Sequence, residues 1–255
     1  MAIHAPPGVI AAAVTPRNRH EEVDFAAGFE LIDFLWRGGV NGIALFTAYG
    51  EYASLASADR ARFLCLAVKR SRIPVYAGIG AATLDAALGL ARDARDAGAD
   101  ALLLPPPHGF AYQQDDLREF YVQFAAHAED LPPVYLADSR GLCSPIEPET
   151  AAELVASGDF AGVADFLSEA ACAVPELIVR LQTRDTAAET MLCDFEYWMD
   201  EFPATVAIKT ALNLRGIKTG PLTIPLTARK RRRLDDFRAW FTAWLPAAKK
   251  LAVHA

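Results

Sequence analysis

The chain's amine nucleophiles are six lysines: Lys69, Lys209, Lys218, Lys230, Lys249 and Lys250. Attack of an amine on a carbonyl carbon needs a lysine whose pKa is depressed in a desolvated pocket. Lys209 falls in a helical pattern, which points to a structural or surface role, and the others sit in still less suitable surroundings. Polar groups that could hold a ligand follow short apolar runs. His108 comes just after Ala101 to Leu104, and Asp138, Ser139 and Arg140 come just after Val134 to Leu136. Arg140 offers a planar fork for a carboxylate. The loop Tyr49-Gly50-Glu51 could present backbone N–H groups to a small anion. Asp165, Ser168 and Glu169 could in principle support metal-assisted chemistry, but no second ligand cluster accompanies them, so no metal site is expected.

Cys65, Cys143, Cys172 and Cys193 are far apart and form no CxxC pair. They read as free thiols in a reducing cytoplasm rather than as disulfides or metal ligands. The run Arg229-Lys230-Arg231-Arg232-Arg233 resembles a nucleic-acid patch in isolation. It opens an amphipathic helix carrying Leu234, Phe237, Trp240 and Trp244, and Asp235-Asp236 follow it, so a solvated helix face is the expected role. The net charge of −7 argues the same way against a nucleic-acid partner.

At 255 residues and 53% hydrophobic, the chain can bury the core of one α/β barrel domain, a class that runs to about 250 residues. No apolar run approaches the ~18 residues of a membrane span, and no signal-peptide pattern opens the chain, so a cytoplasmic protein is expected.

The elements repeat one grammar. Gly38 to Phe46, Gly98 to Leu104 and Gly162 to Leu167 each start with glycine after a helical pattern and run into a short apolar stretch. The glycines suit left-handed helix caps, and the stretches suit strands buried on both faces. Ile73 to Gly78 and Pro132 to Ala137 are further strands entered through proline, and Gly8 to Val14 is the first. About six strands alternating with helices predict a parallel α/β fold. The marked helices run from Asp24 to Trp36, Thr83 to Ala97 and Pro148 to Ala156. Beyond Val174 the pattern is wholly helical: Pro175 to Gln182, Thr186 to Asp200, Val206 to Leu214 and Thr227 to Leu251. No linker divides the chain. A single domain over 1–255 is expected, with a β/α part at 1–174 and C-terminal helices at 175–255.

Several segments, in order, resemble the dihydrodipicolinate synthase/N-acetylneuraminate lyase family of class I aldolases. They are Gly8-Val9-Ile10 through Val14-Thr15-Pro16, Val23-Asp24-Phe25, Gly39 to Leu45 with Gly50-Glu51 and Ser54-Leu55, Pro74 to Gly78, Ala97 to Ala101, and Val206 to Leu212. The resemblance implies a TIM-type barrel. It also implies condensation or cleavage of 2-oxo-acid adducts, or dehydration of sugar acids, through a Schiff-base lysine, a proton-shuttling tyrosine and a Gly-Thr-Thr-Gly-Glu-type carboxylate loop.

This sequence departs from that pattern at each of these three places. The loop reads Thr47-Ala48-Tyr49-Gly50-Glu51. The tyrosine strand, Leu-Tyr-Asn in the family, ends Leu136-Ala137-Asp138, and the relay-tyrosine region reads Pro105 to Phe110 without a tyrosine. Phe160-Ala161-Gly162-Val163 resembles the approach to the lysine strand, whereas Ala164 to Ser168 and Ala171 to Leu177 resemble the last strand and its helix. A β/α pair needs roughly 30 residues with its return strand, so an internal deletion of about forty residues is inferred, one that fuses two strands. Strand number, tilt and shear are linked in a closed barrel, so the full eight-stranded form cannot persist unchanged.

The expectation is a TIM-type barrel lacking about two β/α units, with a C-terminal helical annex. Its site keeps no catalytic residue of the family. Weak contacts to a small 2-oxo acid or carboxylate are assigned by family position to Tyr49, Gly50, Glu51, His108, Asp138 and Arg140. No cofactor, nucleic acid or membrane is expected, and the chain should form a homo-oligomer or pair with a paralogue. The competing expectation is an active lyase, aldolase or sugar-acid dehydratase with a rebuilt site.

Overall fold

The structure is a computed structural model, and it describes residues 8–139, 141–203 and 205–253. Seven strands form one sheet in the order β6-β5-β4-β3-β2-β1-β7. They are β1 (Ile10–Ala12), β2 (Gly42–Leu45), β3 (Val75–Gly78), β4 (Ala101–Leu104), β5 (Val134–Leu136), β6 (Gly162–Val163) and β7 (Leu167–Ser168). The β3–β4, β4–β5 and β5–β6 pairings are parallel. Strands alternating with helices in this order, followed by a run of helices, make a TIM-type (β/α) barrel fold short of β/α units, with a C-terminal helical annex.

The segment 162–168 is not one fused strand, as the sequence suggested. It forms two strands of two residues each, separated by Ala164, Asp165 and Phe166. The reason is their position. One lies beside β5 and the other beside β1, at opposite ends of the strand order, and no straight strand can serve both. Nor do all three expected glycines cap their helices in the left-handed form: Gly38 is right-handed, at φ −73°, and its neighbour Gly39 takes the left-handed conformation, at φ 86°. Gly98 is the left-handed cap of its helix, at φ 83°, but after the helix at 148–156 that role falls to Gly158, at φ 87°, while Gly162 is within β6.

The described residues group into two compact units, residues 44–167, and residues 8–43 with 168–253. In the first, α2 (Ser57–Arg70), α3 (Leu84–Ala97), α4 (Gln114–Ala126) and α5 (Pro148–Ala156) follow the strands. Thr83 Oγ1 caps α3 by accepting from Ala86 N at 3.3 Å. Asp100 Oδ2 accepts from Val75 N at 2.8 Å and pins the start of β3 to the turn before β4. Strand residues 75–78 and 101–104 are all buried, as their continuous apolar runs require.

The second unit holds β1, α1 (Phe25–Arg37), α6 (Ala170–Ala173), α7 (Pro175–Leu181), α8 (Thr186–Asp200), α9 (Val206–Leu214) and α10 (Ala228–Val253). Asp24 caps α1, and Asn41 brackets Val9 by accepting from its N–H at 2.8 Å through the side chain and donating its own N–H to the Val9 carbonyl. Arg215 donates to both oxygens of Glu176, at 2.6 and 3.1 Å, and to the Ala173 carbonyl, with Phe34 beneath the guanidinium. Phe195 and Trp198 on α8 pack with Phe237, Phe241 and Trp244 on α10. The basic run is only partly a solvated face. Lys230 bonds the Glu201 carbonyl, and Arg233 pairs with Glu201 while stacking 4.0 Å above Trp198. The hydrophobic stems and the aromatic rings draw these two inward.

Candidate functional site

The C-terminal ends of β2 to β5, where the active sites of this barrel class sit, carry the groups singled out from the sequence. After β2 the chain turns sharply. Phe46 adopts φ 58°, and the Phe46 carbonyl lies 2.0 Å from where a Cβ on Gly78 would stand, so only glycine fits at the end of β3. Two N–H groups of the loop 47–51 are spent internally: Gly50 N donates to Thr47 Oγ1 at 3.4 Å and Glu51 N to the Ala48 carbonyl at 3.1 Å. Glu51 itself is left-handed, at φ 57°.

Beyond this loop a short 3-10 turn buries Tyr52, 1% exposed, and its hydroxyl lies 3.4 Å from Cys143 Sγ. Burial, and then the bond to Cys143, push the Tyr52 hydroxyl well above the usual tyrosine range, while a bond from Ser139 acts the other way. The His108 ring packs against the Tyr52 ring at 5.7 Å, and His108 and Cys143 face one another across an isolated antiparallel bridge. Burial also raises the Cys143 thiol. The Tyr52 contact opposes that shift and the Asp138 charge adds to it. Arg60 secures the floor: its guanidinium donates to the Gly78 and Gly80 carbonyls at 2.7 and 2.9 Å and lies over Phe46 and Tyr52.

Of the residues predicted from sequence, His108 joins this cluster and Tyr49, Gly50 and Glu51 lead into it. Asp138 is exposed and its charge bears on the Cys143 thiol, whereas its neighbour Ser139 is buried and belongs to the cluster. Arg140 lies outside the described residues. Sequence reasoning did not single out Tyr52, Cys143 or Arg60. Tyr52 and Cys143 are 91 residues apart, and no local motif links them.

Amines are scarce here. The unit that carries these strand ends contains one lysine, Lys69, exposed on the last turn of α2. Lys209 belongs to the other unit, where it is fully buried in α9 and its carbonyl accepts from Thr219 Oγ1 at 3.3 Å. Ala164 continues β6 by donating its N–H to the Leu136 carbonyl at 2.8 Å, and neither it nor its neighbours in 160–165 carry an amine.

The model of the dihydrodipicolinate synthetase family matches residues 5–178. The 4-hydroxy-tetrahydrodipicolinate synthase of Lachnoclostridium phytofermentans is 30% identical, over 89% of this chain and 93% of that protein. This chain belongs to the dihydrodipicolinate synthetase family. It is a homologue of the family's lyases and aldolases. The alignment with the Lachnoclostridium synthase extends over 278 positions, more than the 255 residues present here, so it bridges positions for which this chain has no residue. The Xylella fastidiosa synthase is 34% identical, and the chain spans little more than half of its length, 56%.

Among solved structures, the synthase from Methylacidiphilum fumariolicum SolV superposes with a TM-score of 0.81 over 97% of this chain and 99% of that one, at 19% identity. A prophage family member from E. coli K12, in complex with pyruvate, also gives 0.81, over 94% and 99%, at 18% identity. At such identities the structures speak for the fold. No helix among the described residues is long and apolar enough to cross a membrane.

Proposed function

We propose that this protein has kept the family's fold and given up its amine chemistry. The observation that carries this reading is the absence of any lysine from the strand ends of residues 44–167, where Lys69 is the sole amine side chain and is exposed on a helix. A carbonyl cannot be converted to an imine without a reachable amine. Ala48 and Ala137 carry no hydroxyl to polarise or protonate such an adduct, and Tyr49 sets a bulky phenol in place of a short threonine hydroxyl.

The ligand class proposed is a small 2-oxo acid or carboxylate, consistent with pyruvate in the E. coli relative. Tyr49, Gly50, Glu51, His108, Asp138 and Arg140 are proposed as its surroundings. The Gly50 and Glu51 N–H groups, already spent within the loop, make this binding weak. The protein is proposed to be a single cytoplasmic domain that self-associates or pairs with a paralogue.

One observation favours a second reading, an active enzyme with a rebuilt site. Tyr52, Cys143, Ser139 and His108 form a polar cluster at the strand ends, where chemistry in this fold takes place.

The test is to incubate the protein with pyruvate and borohydride and weigh the intact chain. No lysine adduct, together with one cooperative thermal transition, is the expected result. A stable mass increase mapped to a lysine would overturn the proposal.

A further inference from the structure

We infer that Cys143 is a carbonyl-addition site, a thiol that takes a 2-oxo acid as a reversible hemithioketal where the family uses an amine. The inference rests on the ligand class proposed above and adds the atom that engages it.

Three loops converge to build the site. The first, after β2, supplies Tyr52; the second, after β4, supplies His108; the third, after β5, supplies Ser139 and Cys143. In an antiparallel bridge, directly opposed residues project to the same face with Cβ atoms roughly 4.5–5.5 Å apart, so the imidazole and the thiol are neighbours. Tyr52 touches both, through its ring to His108 and its hydroxyl to Cys143. Further bonds hold the two strands of the bridge together. Tyr112 N donates to Ser144 Oγ at 2.9 Å, Gln114 Nε2 donates to the Pro145 carbonyl at 3.0 Å, and Glu147 N donates to Gln114 Oε1 at 3.0 Å. The third loop is closed on itself by the Leu142 and Cys143 N–H groups, which both donate to the Ser139 carbonyl. Such a frame fixes the thiol before any ligand arrives.

Cys143 and His108 are half-buried, so a small molecule can reach them, whereas Tyr52 and Ser139 are sealed behind. Burial keeps the thiol and the phenol protonated at neutral pH. That state disfavours a freely reactive thiolate. It suits an addition in which the proton moves with the bond. One S–C bond forms between Sγ and the keto carbon, the C=O π bond becomes a C–O single bond, and the thiol hydrogen ends on that oxygen, directly or through the Tyr52 hydroxyl. Nothing is oxidised or reduced, and no co-reactant is consumed.

Cys193, exposed, and Cys65, half-buried, serve as internal controls. The experiment is to alkylate the full chain with iodoacetamide, with and without pyruvate, and to measure the rate at each cysteine by peptide mass spectrometry. Lactate, which keeps the carboxylate and lacks the carbonyl, is the matched control. Pyruvate should slow labelling of Cys143 several-fold and leave Cys193 unchanged, and lactate should protect neither. In parallel, the keto-carbon resonance of [2-13C]pyruvate should gain a tetrahedral component with the native protein. A Cys143→Ser variant that melts cooperatively should lack it.

Equal protection by lactate, absence of protection, or survival of the tetrahedral signal in the variant would each overturn the thiol site. These results leave the amine-loss reading standing, because that reading depends on borohydride trapping at lysine, which is measured separately.

Discussion

Phe166 rests edge-on against Tyr135, ring centroids 5.1 Å apart, although Gly162, four residues earlier, is already paired with Tyr135 in the sheet. The chain therefore doubles back on itself after β6. Phe166 also meets Tyr76 on β3, at 5.9 Å. The register from β3 through β4 to β5 places Tyr76 and Tyr135 on one face, so a single ring ties the two strands that flank β4. The chain passes from β6 to β7 in three residues, and Phe166 in that turn packs on both tyrosines.

Phe166→Ala should lower the free energy of unfolding by about 2 kcal/mol. The value is below the ~3–5 kcal/mol of a fully buried Phe→Ala change because Phe166 is only half-buried. Urea unfolding should show a lower midpoint at an unchanged slope, and Phe166→Leu should recover most of the loss.

Arg215 and Glu176 form a two-pronged pair with side chains 6% and 18% exposed. Glu176→Ala leaves the guanidinium buried with only the Ala173 carbonyl and the Phe34 ring, and should cost about 3 kcal/mol. The double variant with Arg215→Met should be more stable than Glu176→Ala alone, since it removes the stranded charge. Chemical denaturation of the four-member cycle measures both.

Thiol labelling of the native protein should be ordered by burial. Cys193 is exposed and reacts first, while Cys172 is fully buried with its pKa pushed up to about 12 by burial and stays silent until the chain unfolds. The same shift sets a pH dependence. The folded thiol holds its proton where an unfolded thiol, with an ordinary value of 9.0, would lose it. Its contribution is therefore complete below pH 9 and declines as pH rises toward 12. Cys172→Ala should flatten that part of the stability profile.

Asp185 accepts from Arg180 and from the N–H groups of Ala187 and Ala188 at the start of α8, and these bonds, Arg180 first, hold its carboxyl below the ordinary 3.8. The folded value is depressed, so the stabilisation is complete above pH 3.8 and is lost as pH falls through the folded value. Asp185→Asn should lower the melting temperature at neutral pH, and the difference from the native protein should shrink in acid.

Most of the frame was legible in residue order. Periodicity placed Thr186–Asp200 and Val206–Leu214 with the same bounds that the structure gives them, because both are helices whose ends carry local signals. The site was legible only in part. His108 and the loop at 49–51 stand beside strand ends that could be read from sequence. Ser139 was legible in the same way, with Asp138, as a polar group after a strand, but Tyr52 was not singled out and Cys143 read only as a free thiol, since what joins these two is tertiary contact over 91 residues.

The sequence by itself determined the family and the parallel β/α order, since each is a matter of which residue types follow which. Tertiary structure alone decided that residues 162–168 form two strands rather than one, because that depends on which neighbours are available for pairing. It also decided that Lys209 is sealed inside its unit, and that a thiol, an imidazole and a phenol share one rim. Apolar patterning records which strands are buried, but not how deeply a lone polar side chain sits nor which distant loops touch, and those quantities set the chemistry of these groups.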